Sequence, residues 1–141
     1  MNFVIDASVA AKWLVPEVDS DKAEDILLQW RRKAFDLSCP DLVSAEIANT
    51  LWKRVVQRKL PAATAAIRYR DFTDLRIPLE PTARLIAPAL DVALRYRCSV
   101  YDSIYITLAL DVGWDFITAD KRLYNAVRSG FPGIRLLSDW T

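Results

Sequence analysis

Short apolar runs alternate along this chain with longer segments of helical periodicity. Residues 2–6 form an apolar run that ends in an acid, the pattern of a buried strand. Residues 7–14 read as a short helix closed near Pro16. Asp21-Lys-Ala-Glu24 fits a capping box for a helix over residues 21–34, with acids in its first turn and Arg31, Arg32 and Lys33 in its last. A second strand is predicted over 36–39. Pro40 and Asp41 then open a helix to about Lys59, with Pro61 just beyond its end. Helical spacing resumes over 62–75, a third short strand is predicted over 77–80, and Thr82 caps a helix reaching about Arg97. Asp102 opens a further helix to about Val112, with Gly113 at the stop position. The remaining pattern gives a strand over 114–118, a helix over 120–129 and a strand over 134–137.

Short strands between helices predict an α/β domain: a mainly parallel sheet of four or five strands with helices on both faces. Helix outweighs strand, and the two helical segments between the second and third strands predict a helical hairpin beside the sheet. No linker or repeat divides residues 1–141, which read as one domain. The longest nearly apolar stretch, 104–110, is closed by Asp102 and Asp111 and is far short of a membrane span. Asp6 interrupts the opening apolar run, so no signal peptide is expected. With only Cys39 and Cys98, two reduced thiols in the cytoplasm are the simplest expectation.

The absences narrow the chemistry further. The chain has no histidine, which removes Ser-His-Asp and Cys-His catalysis and His-ligated zinc. Its three glycines form neither a dinucleotide fingerprint nor a Walker loop. Acids therefore carry the interest, and in an open α/β sheet a site lies beyond the carboxyl ends of the strands. Asp6 ends the first predicted strand, Asp120 follows the fourth, Asp102 starts the helix leading into it, and Glu46 lies early in the helix after the second. Four acids from separate segments thus fall at one edge.

Each has a plainer reading. Asp6, Asp102 and Asp120 all precede helices, where aspartate is a favoured cap. Glu46 shares its helical face with Asn49, Thr50 and Lys53, as any solvated face would. Asp102 fits the plain reading least, because its helix is apolar almost all round and a carboxylate at the mouth of a buried helix needs compensation. Clustered carboxylates without Cys or His suit Mg²⁺ or Mn²⁺, and such ions support in-line phosphoryl displacement. Glycoside hydrolysis by a carboxylate pair is a more distant alternative. A phosphoacceptor receiver domain would want a second acid beside Asp6, where Ala7 and Ser8 stand instead.

Four segments carry a resemblance: Phe3-Val-Ile-Asp6-Ala-Ser8-Val-Ala-Ala-Lys12-Trp13 with Pro16-Glu17 after it, Ser44-Ala-Glu46-Ile-Ala-Asn49-Thr-Leu51, Tyr101-Asp102-Ser-Ile-Tyr105-Ile-Thr-Leu-Ala109, and Phe116-Ile-Thr118-Ala-Asp120-Lys-Arg-Leu123. Together and in this order they resemble PIN-domain proteins, specifically the VapC-type toxins of toxin–antitoxin pairs. The resemblance implies a three-layer α/β/α sandwich and a Mg²⁺- or Mn²⁺-dependent endoribonuclease whose acidic quartet is Asp6, Glu46, Asp102 and Asp120. It places Asp6 and Asp102 on the metal, with Glu46 and Asp120 on a second ion or the water. Ser8, Thr118 and Asn49 then support the acids or meet the substrate.

The resemblance also implies a homodimer, a cognate antitoxin of the VapB type and an RNA substrate. A net charge of +1 leaves RNA contact to local residues, with Lys53, Arg54, Arg58, Lys59, Lys121, Arg122 and Lys12 as the candidates. Trp13, Trp30 and Trp52 are candidates for exposed apolar surface or core. The competing reading is a PIN-like module that binds RNA or protein without cutting it.

Overall fold

The computed structural model describes residues 1–141. Five parallel strands form one sheet: β1 (Phe3–Ile5), β2 (Leu37–Pro40), β3 (Leu79–Glu80), β4 (Asp115–Thr118) and β5 (Ile134–Leu136), in the order β3-β2-β1-β4-β5. Seven helices surround it: α1 (Ala7–Ala10), α2 (Ser20–Arg31), α3 (Leu42–Val56), α4 (Ala62–Asp74), α5 (Ile86–Tyr96), α6 (Val100–Val112) and α7 (Lys121–Val127). The α/β/α sandwich expected from the pattern is the observed architecture, and its sheet is wholly parallel.

β1 lies at the centre because its three side chains are apolar and its neighbours cover both edges. Phe3, Val4 and Ile5 are all buried, and Phe3 pairs in register with Leu37 on one side and Asp115 on the other. The chain builds outward from β1 through β2 to β3, then returns to β1's other edge with β4 and β5. Strand order therefore reverses between β1 and β4, and their carboxyl ends flank a crevice.

α6 follows from its composition. Residues Ser103 to Ala109 are all buried, so the helix is an interior element packed on β1, β2, β4 and α5. Gly113 ends it with a left-handed φ of 70°, where a side chain would be strained. α3 and α4 pack together as the expected hairpin. No helix is long and apolar enough to cross a membrane, and Cys39 and Cys98 are unpaired.

Three helix starts differ from the sequence reading, each because a different hydroxyl or backbone group does the capping. α2 begins at Ser20 rather than at an Asp21 box. Asp19 turns left-handed at φ 63° without a side-chain cap, and the Ser20 hydroxyl instead accepts from the Glu17 amide at 2.8 Å. α6 is capped by Ser99, whose Oγ accepts from the Asp102 amide at 3.0 Å, so Asp102 sits inside the first turn. Thr82 opens a 3-10 turn (Thr82–Leu85) ahead of α5, and its hydroxyl accepts from Leu42 N at the start of α3. Asp41 returns the contact by accepting from Thr82 N at 3.0 Å, which joins the start of α3 to the end of β3.

Candidate active site

Asp6 is the first residue past β1, at the crevice where strand order reverses. It is 6% exposed. Its Oδ2 accepts from Ser8 Oγ and from Thr118 Oγ1, both at 2.7 Å, while Oδ1 has no protein donor. The two hydroxyls are themselves fixed. Ser8 Oγ accepts from Ala119 N at 3.0 Å, and Thr118 Oγ1 accepts from Asp120 N at 3.0 Å. These bonds tie the end of β4 to the end of β1, so the sheet edge and the carboxylate are set by one network. Burial pushes Asp6 up from 3.8 to about 6, against the pull of the Thr118 and Ser8 hydroxyls, and the charges of Asp102 and Glu46 add to the rise.

The other three acids line the same cleft, a space of about 470 Å³ between α3 and the first turn of α6. Glu46 comes from α3, and its Oε1 accepts from the Tyr105 hydroxyl at 2.6 Å. Burial raises its pKa; the Tyr105 bond opposes this and the Asp102 charge reinforces it. Asp102 is raised by burial, opposed by the Ser99 hydroxyl and reinforced by Asp120. Asp120 caps α7 by accepting from Leu123 N at 3.1 Å. Capping and cleft lining therefore coexist in this residue. Asp6 occupies a cap position without making the cap bond, which frees its carboxylate for the cleft.

The sequence places Asn49, Thr50 and Lys53 on the face of Glu46, and all three line the cleft. That face is not merely solvated. The support for Glu46 comes from Tyr105 across the cleft floor, a residue that the sequence hides within an apolar helix. Tyr105 is fully buried and stacks on Phe116 with ring centroids 5.9 Å apart. Burial, with the charges of Asp6 and Glu46, holds its phenol far above the ordinary range, so it stays a donor. Lys12 is turned away: its Nζ donates to Glu17 at 3.1 Å and to the Val18 carbonyl at 2.8 Å. Arg54 also pairs with Glu17. Trp13 donates to the Ala23 carbonyl and packs on the core, as does Trp30, whereas Trp52 is exposed. Beneath the site, Cys39 donates to the Ile5 carbonyl at 3.2 Å, and burial pushes its thiol to about 12.

None of the four cleft acids takes part in an ion pair; the chain's six salt bridges lie elsewhere. No three of them are drawn close enough to form a ready-made cage for an ion. The donor set nonetheless fits a hard divalent cation. It is all oxygen, it lacks an internal counter-charge, and Asp6 offers an unpartnered Oδ1 that solvent in the cleft can reach. Mg²⁺ commonly takes one or two carboxylates and keeps several waters, so a closed protein cage is not its requirement. A second cavity, of about 430 Å³, opens against Phe3, Phe35 and Trp140 and gathers no comparable acids.

Comparisons with known proteins bear on the fold and the family. The family model of the PIN domain matches residues 3–128. The chain is 31% identical over 125 residues to Ribonuclease VapC3 of Pyrobaculum aerophilum, covering 87% of this chain and 92% of that protein. The crystal structure of PAE2754 from the same organism superposes with a TM-score of 0.68 at 20% identity, covering 98% of this chain and 93% of that one. That match supports the fold. By its strand order, its sequence match over most of its length and its likeness to a VapC relative, this chain belongs to the PIN-domain family, among the VapC-type members.

Proposed function

We propose that the protein is a Mg²⁺- or Mn²⁺-dependent endoribonuclease and the toxin of a toxin–antitoxin pair. The observation that carries this reading is Asp6: a buried carboxylate anchored through one oxygen, open at the other, and surrounded by Glu46, Asp102 and Asp120 with no cation among its partners. The relative's name, Ribonuclease VapC3, points to the same reaction class.

Asp6 and Asp102 would hold the ion, with Glu46 and Asp120 positioning water or a second ion. When bound, the divalent ion neutralises charge on the attacking water and the leaving oxygen of an in-line phosphoryl displacement. Ser8 and Thr118 hold Asp6 in place, and Tyr105 fixes the orientation of Glu46. Asn49 lines the cleft one turn from Glu46, and there it would meet the substrate. Hydrolysis of this kind leaves 5′-phosphate and 3′-hydroxyl ends.

The partners follow from the same reading: an RNA substrate, an antitoxin of the VapB type and a second copy of the chain. A basic antitoxin side chain entering the cleft would supply the counter-charge that the carboxylates lack. Exposed apolar residues on the α3–α4 hairpin, Trp52, Val56 and Ile67, and on α5, Ile86, Leu90 and Leu94, offer surface for protein partners. The test is end-mapping of RNA cut by the purified protein, with and without Mg²⁺. Cleavage that EDTA abolishes and that leaves 5′-phosphates is the expected result. A 2′,3′-cyclic phosphate product would refute the metal–water route.

A further inference from the structure

α3 forms one wall of the cleft, yet few of its positions are buried. Along its 15 residues only Val43, Ile47 and Leu51 are inside, and the helix packs chiefly on α4, with lesser contact to α1 and β2. So little apolar packing does not by itself fix the height of a helix along a sheet. Polar bonds hold it instead. Glu46 accepts from Tyr105 near the middle, and Arg54 pairs with Glu17 toward the far end.

The start of α3 is held by a segment 40 positions away. Thr82 Oγ1 accepts from Leu42 N at 2.9 Å, Asp41 Oδ1 accepts from Thr82 N at 3.0 Å, and Asp41 N donates to the Glu80 carbonyl at 2.8 Å. Aspartate is a favoured cap for its own helix, and Asp41 stands at the cap position of α3. Its side chain nevertheless makes no cap bond there. The carboxylate goes to the 3-10 turn at Thr82, and the hydroxyl of that turn caps α3 in its place. A local cap would satisfy the same amide, so the exchange adds no bond for the helix alone. What it adds is a fixed position. The turn is anchored in its own right: Leu85 is 1% exposed, and Arg84 pairs at 2.8 Å with Asp111, in the last turn of α6. α6 carries Asp102 and Tyr105, so the turn joins the two helices that face each other over the cleft. Leu42 lines that cleft, and Glu46 follows one turn later, about 6 Å along the axis.

We propose that Thr82 is a positioning residue for the cleft: the caps exchanged between Asp41 and Thr82 set the height of α3 against α6, and with it the separation of Glu46 from Asp102. The inference rests on the metal-dependent ribonuclease reading and extends it to a residue outside the cleft. Thr82 touches neither ion nor substrate; it acts through the Leu42 amide on the wall that bears Glu46. The Tyr105 bond does not replace it, because a helix held by one side-chain bond can pivot about that bond. Residues that orient metal-binding side chains carry much of a site's affinity although they never meet the ion.

The experiment compares wild type with Thr82→Val, Thr82→Ser, Asp41→Ala and the Thr82→Val/Asp41→Ala double variant. Valine keeps the shape of threonine and removes the acceptor. Amide hydrogen exchange reads the first turn of α3, calorimetry with Mn²⁺ reads the cleft, thermal midpoints check the fold, and RNA cleavage gives kcat and KM. In Thr82→Val the Leu42 amide should exchange faster, Mn²⁺ affinity should fall by about tenfold, and kcat should fall with KM little changed. Thr82→Ser should restore all three. Asp41→Ala, at an exposed position, should reproduce the loss and carries the test if Thr82→Val does not fold. The double variant should lose little beyond either single one, because both residues serve one link. A lowered midpoint with unchanged Mn²⁺ affinity would make the contact one of stability only and overturn the proposal, as would additive losses or a loss that serine fails to restore. Where wild type and variants bind Mn²⁺ alike, this inference alone fails; a wild type that neither binds Mn²⁺ nor cuts RNA defeats the ribonuclease reading beneath it.

Discussion

Asp6→Asn should stabilise the metal-free protein while abolishing cleavage. Asparagine keeps an oxygen to accept from Ser8 and Thr118, so the tie between β1 and β4 survives. What it removes is a buried negative charge facing Glu46 and Asp102. A rise from 3.8 to about 6 corresponds to about 3 kcal/mol of destabilisation once the group is fully ionised. The sign follows from proton counts. Between the two pKa values the folded state binds more proton than the unfolded one, so Asp6's contribution to stability falls as pH rises from about 4 through 6. The wild-type deficit should therefore be complete at pH 8 and about half as large at pH 5. Urea unfolding in EDTA at the two pH values measures it directly. Adding Mg²⁺ should then stabilise wild type by mass action and the variant far less. An asparagine variant less stable than wild type at pH 8, or a difference that ignores pH, would refute the electrostatic account of this site.

Tyr105→Phe keeps the ring against Phe116 but removes the donor to Glu46. Mn²⁺ affinity by calorimetry should drop by about tenfold or more, and the fold should lose about 1–3 kcal/mol; unchanged affinity would show that Glu46 needs no fixing. Thr118→Ala removes a donor to Asp6 and the acceptor for the Asp120 amide at once. It should cost about 1–3 kcal/mol in urea unfolding and move the acidic limb of the pH–rate profile upward, while Thr118→Ser restores both. If serine fails to restore them, the hydroxyl is not what matters there.

Much of this site is legible in the sequence because its placement is local. A strand that ends in Asp6, a strand followed by Asp120 and an acid in the first turn of an apolar helix all fix their carboxylates by chain direction alone. Helical phase likewise places Asn49, Thr50 and Lys53 beside Glu46. The missing parts depend on contacts distant in sequence. Tyr105 meets Glu46 across 59 positions, and within an apolar helix its hydroxyl gives no periodic signal. Ser99 was masked by Asp102 as a cap because both residue types cap helices well. The Asp21 box failed for a related reason: it scores a motif, whereas the left-handed turn at Asp19 had already started the helix. Arg97, also left-handed at φ 55°, comes to line a depression beside Asp102 and Asp120 only through the turn that joins α5 to α6.

Why the acids remain without an internal partner is answered by Glu17. This residue lies outside the cleft and binds both Lys12, from the turn after α1, and Arg54, from α3. Lys12 follows directly on α1, which carries Ser8, and Arg54 shares α3 with Glu46, so these two cations of the segments bordering the cleft are neutralised outside it. Burial alone would raise the Glu17 carboxyl, yet the bonds from Arg54 and Lys12 hold it below the usual range. The pairs are partly exposed, and each contributes at most about 1 kcal/mol to stability. Their effect on the cleft is the larger consequence. Glu17→Gln should leave the fold nearly unchanged by thermal unfolding but release two positive charges beside the quartet. Mg²⁺ affinity should then fall by about two- to fivefold at low salt, with the difference shrinking as salt screens the charges. Should Mg²⁺ bind the variant as tightly as wild type at low salt, Glu17 is an ordinary surface acid, and the cleft's negative field owes nothing to it.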